Sequence, residues 1–175
     1  NWAQAYKGLL EATPKNNDNP VDVIVGFDFG TSSAKIIARF PYESEQPAFA
    51  LPVPDELRSD KHPHCWRALL WIEPGTGQLS LTYKSGFEPI TEIKTSAMQQ
   101  NSVSGQFRAI EAGLTSEVTC VAYVGLMLRV IKGWLASDVF PKLNINIMER
   151  AIFWELNMGL PASKRDDKKI ADRFN

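Results

Sequence analysis

The stretch VIVGFDFGTSSAKIIARF, Val23 to Phe40, constrains the fold more than any other part of the chain. Two runs rich in β-branched residues flank Asp-Phe-Gly-Thr-Ser-Ser. Val21 to Phe27 and Ala34 to Phe40 therefore predict two strands joined by a hydroxyl-rich turn. Asp28 falls at the carboxyl end of the first strand, where α/β folds gather ligands. An acid, a glycine and hydroxyls at such a place fit either a tight turn or a phosphate cradle.

The other elements follow from pattern and punctuation. Trp2, Tyr6, Leu9 and Leu10 predict a short amphipathic helix over residues 2 to 11, and PKNNDNP after it reads as a linker. Residues 41 to 64 are proline-rich and irregular, with a short strand expected at Ala48 to Val53. Arg67 to Ile72 and Gln78 to Tyr83 predict a hairpin around EPGTG. Residues 92 to 112 are polar and carry no clear periodicity. Ser116 to Ala136 is the clearest helix, with Val121, Val124, Leu128, Val130, Ile131 and Trp134–Leu135 forming a broad apolar face, so most of it should be buried. IFWELNMGL predicts a third core strand, and Ser163 with Asp166 caps a final charged helix. This order predicts an α/β fold with a mixed sheet.

Totals exclude several function classes. The chain has 175 residues, enough for one domain with a proper core, and a formal net charge of −1, so no basic field draws it to nucleic acid or anionic lipid. Val118 to Ile131, the longest apolar stretch, is interrupted and shorter than the roughly 20 residues that span a bilayer. No signal-peptide pattern is seen, and two cysteines, Cys65 and Cys120, are too few for a disulfide framework. A cytoplasmic protein is the expectation.

In the turn, Gly30 lets the backbone approach a ligand closely or take φ > 0. Thr31, Ser32 and Ser33 offer N–H groups and hydroxyls, a suitable anion nest. Asp28 facing such a nest suits a hydrated Mg²⁺ bridging it to phosphate. The plainer reading has Asp28 and Thr31 bonding their own backbone in a β-turn. The P-loop and Rossmann patterns are absent, and Asp28-Phe29-Gly30 lacks the catalytic loop that would make it a protein-kinase triplet.

GFDFGTSSAKI in its strand–turn–strand context resembles the first phosphate loop of the actin, heat-shock chaperone and sugar-kinase superfamily. WELNMGLPASKRDDKKIADRF resembles the segment of DnaK-like chaperones in which a strand ends in a Val-Pro-Ala-like triplet, here Leu160-Pro161-Ala162, before a charged helix. The helix from Ser116 matches the one those chaperones place before that strand. The resemblance implies a ribonuclease H-like, actin-superfamily lobe, the first of two. Its core would be residues 21–40 and 113–175, with 41–112 inserted as a smaller subdomain and 1–20 an added leading helix and linker. The second lobe would lie beyond this sequence.

The resemblance also implies roles. Asp28 would hold Mg²⁺ through water; Gly30, Thr31, Ser32 and Ser33 would form the turn on the β- and γ-phosphates of ATP. Lys94, in TEIKTSAM, matches the lysine from the inserted subdomain that reaches the γ-phosphate, and a solvated surface lysine is the alternative. The family's water-orienting acid, second phosphate loop and adenosine-binding glycines have no counterpart here, so this stretch alone should bind ATP weakly and hydrolyse little of it. The expected function is Mg²⁺-dependent ATP binding and hydrolysis coupled to lobe movement, with nucleotide and a protein client or partner as the expected partners. A silent actin-fold scaffold and a sugar-type kinase are the alternatives.

Two further features have plain explanations. HPHC, His62 to Cys65, offers three metal ligands where structural zinc wants four, and reads as a surface loop. Trp71, Trp134 and Trp154 fall in expected core elements, and the charge-balanced SKRDDKKIADR reads as a solvated helix face.

Overall fold

The computed structural model describes residues 18–59, 62–99 and 113–159. The expected leading helix, Leu160-Pro161-Ala162 and the expected final charged helix lie outside them. Within the described residues the chain is mixed α/β, with few helices and a mixed sheet.

Strands β1 (Val21–Phe29), β2 (Ser33–Arg39) and β3 (Ala48–Ala50) come first. Then follow β4 (Trp66–Arg67), β5 (Leu70–Ile72), β6 (Leu79–Ser80) and β7 (Glu88–Ile90). Helices α1 (Ile93–Gln99) and α2 (Ser116–Trp134) precede β8 (Ile152–Met158). One sheet has the order β3-β2-β1-β8, with β4 also on β2; a second has the order β6-β5-β7. Val21 N–H donates to Ala151 O at 2.8 Å and Gly159 N–H to Phe27 O at 3.0 Å, so β8 runs parallel to β1. β2 pairs antiparallel with both β3 and β4.

β1 and β2 form where sequence predicts them, because their alternate residues are fully buried: Val21, Val23, Val25, Phe27 and Phe29 in β1, and Ala34, Ile36 and Ala38 in β2. The expected strand Arg67 to Ile72 is broken. Its first part, β4, pairs with β2, and its second, β5, pairs with β6 and β7. The EPGTG turn does join β5 to β6, with Gly75 and Gly77 at φ 87° and 72°. Part of the polar region 92–112 is helical, as α1.

Two expectations about burial are corrected. The buried stripe of α2 is Thr119, Cys120, Tyr123, Met127, Ile131 and Trp134, while Val121 is 71 % exposed. Nearly every side of this helix is apolar, so periodicity did not single out the packed face. β8 is a strand but not a core strand. It ends the sheet, and Phe153, Trp154 and Leu156 are exposed, Trp154 lying under the Lys132 amine at 5.0 Å. Ser116–Val139, at 24 residues, is long and apolar enough by length and composition to cross a membrane, a test that core helices also pass.

Helix α2 closes in a wider turn over Leu135–Val139, where Phe140 N–H donates to Leu135 O at 2.8 Å. Pro141 then has no N–H to continue the ladder.

The described residues group into two compact units. One contains, of the described residues, 18–26, Ile36–Pro52 and Val124–Asn157. Its core holds Phe40, edge-on to Phe49 and Phe140 at 6.0 Å each. There the Arg150 guanidinium clamps Glu43 at 2.6 and 3.2 Å and donates to Asn19 O at 2.9 Å and Pro20 O at 3.1 Å. The other unit contains, of the described residues, 27–35, 53–59, 62–99, 113–123 and 158–159. Its core includes Phe27, Phe29, Trp66, Leu70, Ile93 and Tyr123. Every candidate site residue belongs to this second unit.

Candidate functional site

The loop after β1 is built from short-range geometry. Gly30 N–H donates to Ser33 O at 2.9 Å, closing a turn with Thr31 and Ser32 at its tip. Gly30 does not take positive φ; a Cβ there would come within 2.6 Å of the Ser33 carbonyl oxygen. Glycine is required because the backbone folds onto itself. Thr31 and Ser32 are exposed, and Ser33 is half-buried at the start of β2. Ser32 O accepts from Ala68 N–H at 3.0 Å, which ties the loop to the residue after β4. Among the described residues, the N–H groups of Thr31 and Ser32 have no backbone acceptor. The turn therefore presents open donors without the internal bonds of an Asx-turn.

Asp28 is the exposed member of β1, between buried Phe27 and Phe29. Gly159 lies opposite it, where a Cβ would sit 3.8 Å from Asp28 Oδ1. That is ordinary van der Waals contact, so a methyl group there would touch the carboxylate without displacing it.

Lys94 comes from the first turn of α1 and is 8 % exposed. A lysine is doubly disfavoured there, since burial penalises its charge and helix-start N–H groups repel a cation. Three groups compensate. Its amine donates to the main-chain carbonyl of Phe29, lies 5.5 Å from the Phe29 ring centre, and is attracted by Asp28. Burial still wins and pulls the amine below the usual lysine range, against the opposing pull of Asp28 and then Cys120. The site thus brings together residues from β1 and α1 that are far apart in the chain.

Behind the site, Tyr123 stacks on Phe29 at 5.1 Å and donates its hydroxyl to Arg67 O at 3.1 Å. Burial pushes the Tyr123 hydroxyl and the Cys120 thiol up, the latter to about 11. Both cysteines are free and buried.

Beside the loop opens a cleft of about 380 Å³ lined by Thr31, Ser32, Ser59, Arg67, Ala68, Leu69, Thr91 and Glu92. Of the residues that sequence singles out, Thr31 and Ser32 line it; Asp28, Gly30, Ser33 and Lys94 do not. Arg67 and Glu92 are the charged members that sequence reasoning missed. Glu92 stands just before α1 with φ 55°, uncommon for a residue with a side chain, and only the fold reveals it. Among the described residues, no group of three or more His, Cys, Asp or Glu side chains is gathered to hold a metal ion. His62 and His64 stand ring to ring at 5.8 Å.

Compared with protein-family models, curated proteins and solved structures, the chain finds no significant match.

Proposed function

We propose that this chain is the nucleotide-binding first lobe of an actin-superfamily, DnaK-like ATPase, in which Asp28 and the loop Gly30–Ser33 receive Mg²⁺ and the phosphates of ATP. The observation that carries the reading is the convergence at the end of β1. A buried lysine, Lys94, is drawn to the Phe29 carbonyl and the Asp28 charge, beside a turn with open N–H donors. A solvated surface lysine would not be buried in this way. A decorative hairpin would not need a cation held behind it.

The donor set suits the group. The Asp28 carboxylate is exposed and can take a hydrated ion, and magnesium keeps several waters when one or two carboxylates hold it. When bound, Mg²⁺ offsets phosphate charge. Thr31 and Ser32 would orient the phosphate oxygens by N–H and hydroxyl donation, and Lys94 would fix the strand end from which Asp28 projects. Such a site works by placement and charge neutralisation.

The test is ATP binding and hydrolysis with Mg²⁺ by the natural full-length protein and its Asp28→Ala variant. Turnover in the first and not in the second supports the ATPase. Binding without turnover in either favours a silent scaffold. No binding in either removes the nucleotide reading.

A further inference from the structure

The sequence singles out Lys94 as the cation for a bound phosphate, yet Lys94 is nearly enclosed, bonded to the Phe29 carbonyl and absent from the lining of the cleft. Arg67 does line it, together with Thr31 and Ser32. Its position is set from several sides. β4 pairs with β2 so that Arg67 faces Ser33 in register, and the next residue, Ala68, bonds Ser32 O at 3.0 Å. Tyr123 holds the Arg67 carbonyl at 3.1 Å. The inner nitrogen, Nε, donates to Arg58 O. Arg58 is itself engaged, by Asp55 at 2.6 Å and by Val53 O at 3.0 Å.

Arg67 is therefore fixed at its backbone and at its inner nitrogen, while no carboxylate pairs with its terminal nitrogens among the described residues. A guanidinium held this way is a preorganised fork for phosphate oxygens. Glu92, the acid of the same cleft, opposes a bare oligophosphate, and less so one whose charge Mg²⁺ offsets.

We propose that Arg67 is the phosphate-binding cation of this cleft and that Lys94 is a positioning residue behind it. The inference rests on the phosphate-loop reading above, but assigns the charge to a different residue.

The experiment titrates the natural full-length protein with tripolyphosphate in excess Mg²⁺, following affinity by calorimetry and side-chain signals by NMR. In the unaltered protein the Arg67 guanidinium signals should shift on binding and the Lys94 amine signals should stay. Arg67→Gln should weaken binding at least tenfold, and Arg67→Lys should recover part of the loss. Lys94→Met, with its fold verified by circular dichroism, should weaken binding threefold or less. If Arg67→Gln binds normally, or the Lys94 signals move and those of Arg67 do not, Arg67 is the wrong residue and the site reading stands. If the unaltered protein does not bind, both readings fall together.

Discussion

The amine of Lys94 donates to the main-chain carbonyl of Phe29, a residue 65 positions away in the chain. That contact joins the start of α1 to the end of β1 and sets the conformation from which the hydroxyl turn departs. Lys94→Met keeps most of the stem volume and removes the donor. The Phe29 carbonyl then loses its partner in a buried place, which costs about 1–3 kcal/mol. The buried charge disappears at the same time and offsets part of that loss. We expect a net destabilisation of about 1 kcal/mol by urea titration. A stabilised variant would mean that the lysine is a burden the carbonyl does not offset.

Gly30→Ala should be worse. The new Cβ would meet the Ser33 carbonyl oxygen at 2.6 Å, and a backbone oxygen inside a closed turn cannot rotate away. Opening the turn would strain the Ser32–Ala68 bond as well. A loss of about 1–3 kcal/mol is expected, as for overpacking elsewhere, with NMR shifts centred on residues 30–33 and 66–68. Unchanged stability would show that the loop is soft, and a poor phosphate cradle.

How far the sequence could anticipate this depended on how local each cause was. β1 and β2 were legible because alternate residues are buried, and alternation is visible in a string of letters. The hydroxyl turn was legible from its glycine and hydroxyl residues between two such runs. Arg67 was not, since its place comes from β4 pairing with β2 across an irregular segment, and nothing near position 67 encodes that register. The packed face of α2 was misread because apolar residues surround the helix. For β8, composition said strand, but position in the sheet decides burial, and Phe153 and Trp154 stand exposed at its edge. The resemblance pointed to Lys94; only the fold shows that it is occupied by a carbonyl.

Tyr123→Phe separates the two duties of that ring. The stack on Phe29 survives, while the bond to the Arg67 carbonyl at 3.1 Å is lost. About 1 kcal/mol should go with it. If Arg67 depends on this anchor, its backbone amide exchange should also speed up while that of residues in β5 stays unchanged. Equal effects on both strands would make the hydroxyl a general packing group.

Clamping by Arg150 offers a control in the other compact unit. Its guanidinium joins Glu43 to the Asn19 and Pro20 carbonyls in a partly buried cluster. Arg150→Ala strips partners from all three, so a loss of about 1–3 kcal/mol is expected. Glu43→Gln keeps the carbonyl bonds and should cost about 1 kcal/mol or less. Equal losses in the two variants would place the strength in the ion pair alone.

Cys120 gives the molecule a pH dependence whose sign is fixed. Burial raises its thiol from the ordinary 9.0 to about 11; the Lys94 charge works against the rise and Glu117 adds to it. Between those values the folded protein keeps a proton that the unfolded chain has released. The stabilisation is thus complete below pH 9 and is lost as pH climbs towards 11, by about 2–3 kcal/mol for a full shift of this size. Lys94 runs the other way: its lowered amine makes folding more favourable as pH rises towards 10.5. The two therefore partly cancel in the unaltered protein. Cys120→Ala removes the thiol contribution and leaves that of Lys94, so unfolding free energy should rise from pH 8.5 to 10.5 relative to the parent sequence. Urea titrations at the two pH values measure that difference directly. Parallel pH dependence in the two proteins would mean that the Cys120 thiol ionises as it does in water.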